Sequence, residues 1–269
     1  NIFVIYYSLG SVMQITVMTF NLRCDKPDPG ERCWQKRVGA IACMIQNYQP
    51  ELWGTQEGQP HQLRDLQVLL PDYEFVGGDR TGTGKGEHCA IFYKRGKLQL
   101  RETQDFYLSD TPEIPGSITW GTRLPRMVTW ANFIVEDLGF SVTMMNTHLD
   151  HEVSRARELG AGLVSLRLMN FPTEDYLLLT GDFNAGPKSL ERIILADNYR
   201  IKDVLGNLPL ESQKTFHDFT GQAWDPRDTI YCDRRWQINQ VIIDDQRWEG
   251  IWPSDHFPVI VQLGITGGN

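Results

Sequence analysis

Carboxylates, amides and histidines recur in this chain at one kind of place, the edge of an apolar run. Asn21 closes the run 14–20, and Glu57 follows 52–56. Asn146 and His148 end the run that begins at 141. Asp182 and Asn184 follow 176–179, and Asp255 with His256 leads into 257–263. A carboxylate beside an amide suits a divalent cation that keeps most of its waters. A second carboxylate can orient or deprotonate water, and a histidine can carry a proton or donate to a developing negative charge. Each residue alone has an ordinary structural explanation: a solvated loop glutamate, a turn asparagine, an Asx turn holding a satisfied histidine. The shared placement argues for a site, because polar groups at strand ends converge on one edge of a sheet in open α/β proteins.

The elements that must position them follow from the periodicity. The stretch Leu179-Thr180-Gly181-Asp182-Phe183-Asn184 is the centre. Its apolar run, bounded by a turn signal, predicts a strand buried on both faces, and extended alternation would aim Asp182 and Asn184 to the same side. Residues 14–20 alternate as a strand. Val38, Ile41, Ala42 and Ile45 share a helix face, as do Leu63, Leu66 and Leu70. Further strands are expected at 52–56, 73–76, 89–93, 98–108, 127–135, 141–146, 238–243 and 257–263. A tight Asp137-Leu138-Gly139 turn joins two of these as a hairpin. Ala156, Leu159, Leu163 and Leu166 predict a long helix, and 190–196 a short one; 203–236 reads as loop-rich. The glycine-rich 77–86 is not a P-loop, because Lys85 precedes Gly rather than Ser or Thr, and it reads as a flexible hairpin connection. Strand pairs alternating with isolated helices predict a single α/β domain over 13–269, a four-layer αββα sandwich of two mostly antiparallel sheets. Frequent hairpins disfavour a doubly wound parallel sheet.

Composition narrows the function. The net charge of −8 argues against broad, non-specific binding of duplex nucleic acid, which needs Lys and Arg to displace counterions, and it suits a site that collects a cation. Five cysteines include no Cys-x-x-Cys pair, so reduced thiols in a cytoplasmic protein are expected rather than a zinc site or disulfide scaffold. No segment approaches the roughly 18 apolar residues of a membrane span. Residues 1–12 read as an extension outside the fold, with Met13 a natural start and a cleaved signal the minority view.

Taken in order, Thr19-Phe20-Asn21, Gly54-Thr55-Gln56-Glu57, Asn146-Thr147-His148, Gly181-Asp182-Phe183-Asn184 and Ser254-Asp255-His256 resemble the endonuclease/exonuclease/phosphatase (DNase I-like) superfamily over nearly the whole chain. Their wording is similar to its bacterial metal-dependent hydrolase branch. The resemblance implies a phosphoester hydrolase using Mg²⁺, or Mn²⁺, held by Glu57 with Asn21. Asp255 would lie within reach of the metal, directly or through water. Asp182 would orient or deprotonate the water, with Asn184 holding water and phosphate, and His148 and His256 would flank the phosphate. It also implies a glutamate partner for the first histidine, matched by Glu87, and an aspartate for the second. The position of that aspartate falls on Asn239 in one alignment and Asp228 in another. Of Arg123 and Arg126, the second is favoured as a phosphate ligand. His151 reads as a helix start or rim residue. Trp120, Trp224, Trp236 and Trp252 are loop tryptophans that could stack on a base or sugar. The favoured reaction is hydrolysis of a phosphodiester by in-line attack of water, with a sugar- or inositol-phosphate monoesterase, or a non-catalytic phosphate-binding module, as the alternatives.

Overall fold

The computed structural model describes residues 13–136 and 139–265. The proposed extension 1–12 and part of the 137–139 turn lie outside them. Two six-stranded sheets face each other. The first has the order β11-β12-β1-β2-β4-β3 and the second β5-β6-β7-β8-β10-β9. The strands are β1 (Met13–Asn21), β2 (Leu52–Gln56), β3 (Tyr73–Val76), β4 (Ile91–Lys94), β5 (Leu98–Tyr107) and β6 (Met127–Val135), then β7 (Ser141–His148), β8 (Tyr176–Asp182), β9 (Ile201–Asp203), β10 (Asp228–Asp233), β11 (Gln237–Ile243) and β12 (Val259–Ile265). Helices α1 (Trp34–Tyr48) and α2 (Pro60–Leu69) cover one outer face; α3 (Ser154–Asn170) and α4 (Leu190–Ala196) cover the other. The four-layer αββα architecture read from the pattern is the one observed.

Each sheet has one parallel pair at its centre, β1 with β2 and β7 with β8; every other pairing is antiparallel. A parallel pair needs a crossover, supplied by α1 in the first sheet and α3 in the second. Both members of such a pair end at the same edge. Register then sets Asn21 opposite Gln56 and His148 opposite Asp182.

The side chains between the sheets change character along each central strand. Ile15 and Val17 lead to Thr19 and Asn21; Val142 and Met144 lead to Asn146 and His148; Leu178 leads to Thr180 and Asp182. With a period of two, all of these point inward. One end of the inter-sheet space is therefore apolar core, and the other is a polar mouth. Alternate residues pack outward: Met18, Phe20 and Trp53 against α1 and α2, and Met145, Leu177 and Leu179 against α3 and α4.

Gly54 sits under the mouth, closely covered by Thr180 and Asn146 of the facing sheet. A Cβ there would stand 2.2 Å from Thr180 Oγ1 and 2.5 Å from Asn146 Oδ1. Gly54→Ala should destabilise the protein by roughly 2–3 kcal/mol through overpacking, read as a lower urea midpoint.

The region 203–236 differs from expectation. It contains β10, which pairs with both β8 and β9. Aspartates open and close this strand and mask its apolar middle, Ile230-Tyr231-Cys232. The connection 77–86 is also more ordered than a flexible hairpin. The Asp79 carboxylate accepts from Thr81 N at 2.9 Å, Gly84 N at 2.5 Å and Gly86 N at 3.0 Å. All five cysteines are free, and no described helix is long and apolar enough to cross a membrane.

Candidate active site

Strand ends build the polar mouth. Asn21 Nδ2 donates to Glu57 Oε1 at 3.2 Å and to Asp182 Oδ2 at 3.0 Å, so one amide ties the two sheets together. Its Oδ1 accepts from Arg23 N at 2.9 Å. Around the same Asp182 oxygen stand His148 Nε2 at 3.6 Å and His256 Nε2 at 3.8 Å. Asp182 Oδ1 accepts from Asn184 N at 2.9 Å. A cleft of about 260 Å³ opens above; its walls include Glu57, His148, Asp182, Asn184, Asp255 and His256.

Backbone strain marks this place. Arg23, Glu57 and Asn184 all adopt left-handed φ, at 56°, 62° and 49°. Each stands one or two residues past a strand end, where the chain must turn sharply while its side chain stays on the cleft. Such conformations cost of order 1 kcal/mol or more and persist where surroundings over-determine them. Asn184 therefore does not alternate with Asp182 as an extended residue would. Its Nδ2 donates to Leu149 O at 3.0 Å, which anchors the side chain at the cleft wall.

The two histidines have opposite environments. His256 Nδ1 donates to Asp228 Oδ2 at 2.7 Å. Burial alone would lower its pKa, but Asp228, Asp182 and Asp255 together raise it to about 10. His148 has no such carboxylate partner; burial and the nearby Arg126 guanidinium push it well below the ordinary value. At neutral pH His256 is an imidazolium and His148 a neutral imidazole. Burial and the neighbouring Asp228 raise Asp182 to about 6. Glu57 goes the other way. Although burial opposes it, the Cys24 N–H at 3.0 Å, the charged His256 and the Asn21 amide hold it well below the usual carboxylate range. Carboxylates and imidazoles pushed apart in this way mark separate acid and base duties.

One expected contact is corrected and one open alternative is decided. Glu87 does not touch His148; it forms a forked pair with Arg80, with N···O distances of 2.7 and 2.8 Å. Arg80 reaches it because the ordered 77–86 loop folds back over the cleft wall. The partner of His256 is Asp228 and not Asn239. Register sets Asp228 opposite Asp182 at the start of β10, whereas Asn239 lies at a register shift in the edge strand β11.

Arg126 is 4% exposed and faces the cleft. Its Nε donates to Asp150 Oδ2 at 3.2 Å and its Nη2 to His151 Nδ1 at 2.8 Å, while Nη1 is buried without a partner. An orphaned guanidinium N–H is costly unless it meets an acceptor, and an anion in the cleft would supply one. His151 thus sits on the rim as a partner of Arg126, ahead of a helix that starts at Ser154. Arg123, largely exposed, pairs with Glu152 at 3.4 Å. Asp255 accepts from Arg23 Nη1 at 3.2 Å and Ser254 Oγ at 3.2 Å. Of the tryptophans, Trp236 is 1% exposed and belongs to the core between the sheets. Trp252 packs on His217 and Phe257, and Trp120 donates to Asp110 at 2.8 Å. Trp224 is half exposed, edge-on to Phe216. None of the four lines the cleft.

A family model described as "Endonuclease/Exonuclease/phosphatase family" matches residues 18–256. The chain belongs to this family. A search of curated proteins finds no match. Solved structures that resemble it include an endonuclease/exonuclease/phosphatase family protein from Bacteroides thetaiotaomicron, 31% identical, covering 96% of this chain and 100% of that one, with a TM-score of 0.87. A mannosyl-6-phosphatase from Bacteroides thetaiotaomicron VPI-5482 is also 31% identical, covering 93% and 99%, with a TM-score of 0.84. The human Nocturnin catalytic domain, at 18% identity over 94% and 95% and a TM-score of 0.75, shares the fold.

Several cleft residues escaped the sequence reading: Arg23, Lys26, Arg80 and Arg227 line it, and Asp150 holds Arg126. Arg23 and Arg80 stand in Gly- and Pro-rich loops after β1 and β3, so their place just past strand ends was the available signal. Arg37 is a fully buried arginine that donates to the carbonyls of Leu22, Arg23, Arg32 and Pro253. It ties the Arg23 loop to the segment entering Asp255.

Proposed function

We propose that this chain is a divalent-metal-dependent phosphoester hydrolase acting by in-line attack of water, and that its substrate is a small phosphate monoester. The observation that carries the reading is the gathering of Glu57, Asn21, Asp182, His148 and His256 around one point at the mouth of the sandwich. Glu57 is the proposed main metal ligand. Its carboxylate is kept ionised, yet its direct partners are an amide and a backbone N–H, not a cation. A half-buried charge in that position favours a counter-charge, and a hard cation with oxygen ligands fits. Asn21 and Asp255 complete its surroundings. Bound there, Mg²⁺ or Mn²⁺ would neutralise phosphate oxygens and the leaving oxygen.

The remaining roles belong to the chain's own groups. Asp182 orients the attacking water and takes its proton. Asn184 holds water and phosphate, while Arg126 offers its free Nη1 to a phosphate oxygen. His148 and His256 flank the phosphate; His256, as the imidazolium, is the one able to donate a proton. The non-catalytic reading loses its one support, since Asp228 rather than Asn239 faces His256. A cleft of about 260 Å³ is near the small end for ligand sites and supports a small ester over a polymer. The likeness to a mannosyl-6-phosphatase supports a monoester over a diester.

The test is hydrolysis of p-nitrophenyl phosphate, bis-p-nitrophenyl phosphate and mannose 6-phosphate with Mg²⁺ or Mn²⁺, and with chelator. Metal-dependent release of phosphate, faster from the monoesters, is expected. Faster turnover of the diester would overturn the monoester assignment, and inertness toward all three the hydrolase itself. Asp228→Asn should lower kcat about 10–100-fold. It should also move the alkaline limb of the pH profile down from near pH 10, because the charge that keeps His256 protonated is gone. An unmoved limb would exclude His256 as the acid.

A further inference from the structure

The forked Arg80–Glu87 pair has no part in the chemistry assigned above, yet it occupies a cleft wall. Both residues line the main cleft and a recess of about 10 Å³ shared with Glu57, Arg126 and His148. Their side chains are only 15% and 17% exposed. The pair is built with care. The Asp79 carboxylate gathers the backbone of the loop, and Thr81 Oγ1 donates to it as well. A Cβ on Gly86 would crowd the Asp79 carboxylate and push it off the loop it gathers. Arg80 N donates to Glu87 O at 2.8 Å, and Tyr107 Oη to Asp79 O at 3.2 Å. A loop pinned at this many points presents one arginine in one orientation.

We propose that Arg80 and Glu87 are the specificity pair for the leaving group, reading adjacent hydroxyls of a polyhydroxy alcohol esterified to the phosphate. This rests on the phosphoester-hydrolase reading above. The pair lines the cleft wall beside Glu57 and His148, within the space that the alcohol part of a bound ester must share. A forked guanidinium–carboxylate pair is planar and rigid. Arg80 Nε has no hydrogen-bond partner among the described residues, and each Glu87 oxygen keeps lone pairs beyond those that Arg80 occupies. The wall therefore offers donors and acceptors side by side, the pattern two neighbouring hydroxyls require. Three arginines around this wall are already paired with carboxylates, which weakens the case for a second phosphate. Arg80 is neutralised by Glu87, Arg126 by Asp150 and Arg123 by Glu152.

The experiment compares kcat/KM for mannose 6-phosphate, glucose 1,6-bisphosphate and p-nitrophenyl phosphate in the wild type, Arg80→Met and Glu87→Gln. Each variant should lower the ratio of mannose 6-phosphate to p-nitrophenyl phosphate by at least about tenfold, mainly through KM, because a buried partner of a substrate hydroxyl is left unpaired. Both substrates are measured in one preparation, so the folded fraction cancels from the ratio. An unchanged ratio overturns the proposal and makes the pair structural. A gain for the bisphosphate in Glu87→Gln, above that for mannose 6-phosphate, overturns it in favour of a second anion subsite. A wild type that hydrolyses p-nitrophenyl phosphate but no sugar phosphate removes the pair's role and leaves the hydrolase intact. Inertness toward all three removes both.

Discussion

Asp182→Asn is expected to lower kcat about 10³-fold while leaving the protein at least as stable as the wild type. The substitution keeps the shape of the side chain, but its single oxygen can accept from only one of Asn21 Nδ2 and Asn184 N. It removes the charge that a water-activating group needs. Stability has the opposite sign for a physical reason. Asp182 sits buried beside Asp228, which raises its folded pKa from 3.8 to about 6. A carboxyl raised in the folded state contributes stability that is fully present below its unfolded value, near pH 4, and lost as the pH rises through about 6. At pH 7 the ionised group therefore burdens the fold, and a neutral amide relieves it. Melting temperature and kcat at pH 7 check both halves. A variant that melts well below the wild type would show that Asp182 is held for structure. One that keeps its kcat would exclude it as the group that activates water.

Glu57→Gln should abolish metal-dependent turnover, a loss of about 10³-fold or more, because an amide cannot supply the charge that offsets dehydration of a divalent cation. A second readout does not depend on activity. Ligand that binds only the folded state raises stability by about 2.7 kcal/mol at a hundred times its dissociation constant. Mg²⁺ or Mn²⁺ should therefore raise the melting temperature of the wild type and leave Glu57→Gln unmoved. Equal shifts in both proteins would place the metal elsewhere. Asp182, Asp228 and His256 form the other acidic cluster, with ligand atoms within 4.8 Å of one another. Its atoms are already engaged, His256 Nδ1 with Asp228 and Asp182 with Asn21 and Asn184. That makes it better suited to moving a proton than to holding a cation.

Much of this site was legible before folding was considered. Asn21, Glu57, His148, Asp182 and His256 each lie at the edge of an apolar run, and short-range periodicity reports strand ends well. Local pattern failed where a contact depends on a loop or on register. Glu87 shares a recess with His148, but the Asp79-centred turn delivers Arg80 to its carboxylate instead. Asn239 and Asp228 each stand two residues before an apolar run, 241–243 and 230–232. Only the antiparallel pairing of β10 with β8, hidden by the aspartates at both ends of β10, brings the second against His256. Asn184 follows Asp182 by two residues, but a left-handed φ in place of extended alternation sends its amide to Leu149.

The chain by itself therefore determined which polar groups stand at strand ends and that two helix-covered sheets carry them, because both follow from periodicities of two and 3.6 residues. Tertiary structure decided which of those groups meet and in what charge state. Pairing, burial and the αL turns after β1, β2 and β8 bring together residues far apart in the chain, Asn21 with Asp182 at 161 positions and Arg23 with Asp255 at 232. One histidine becomes a cation and the other a neutral base because of neighbours that no local window contains.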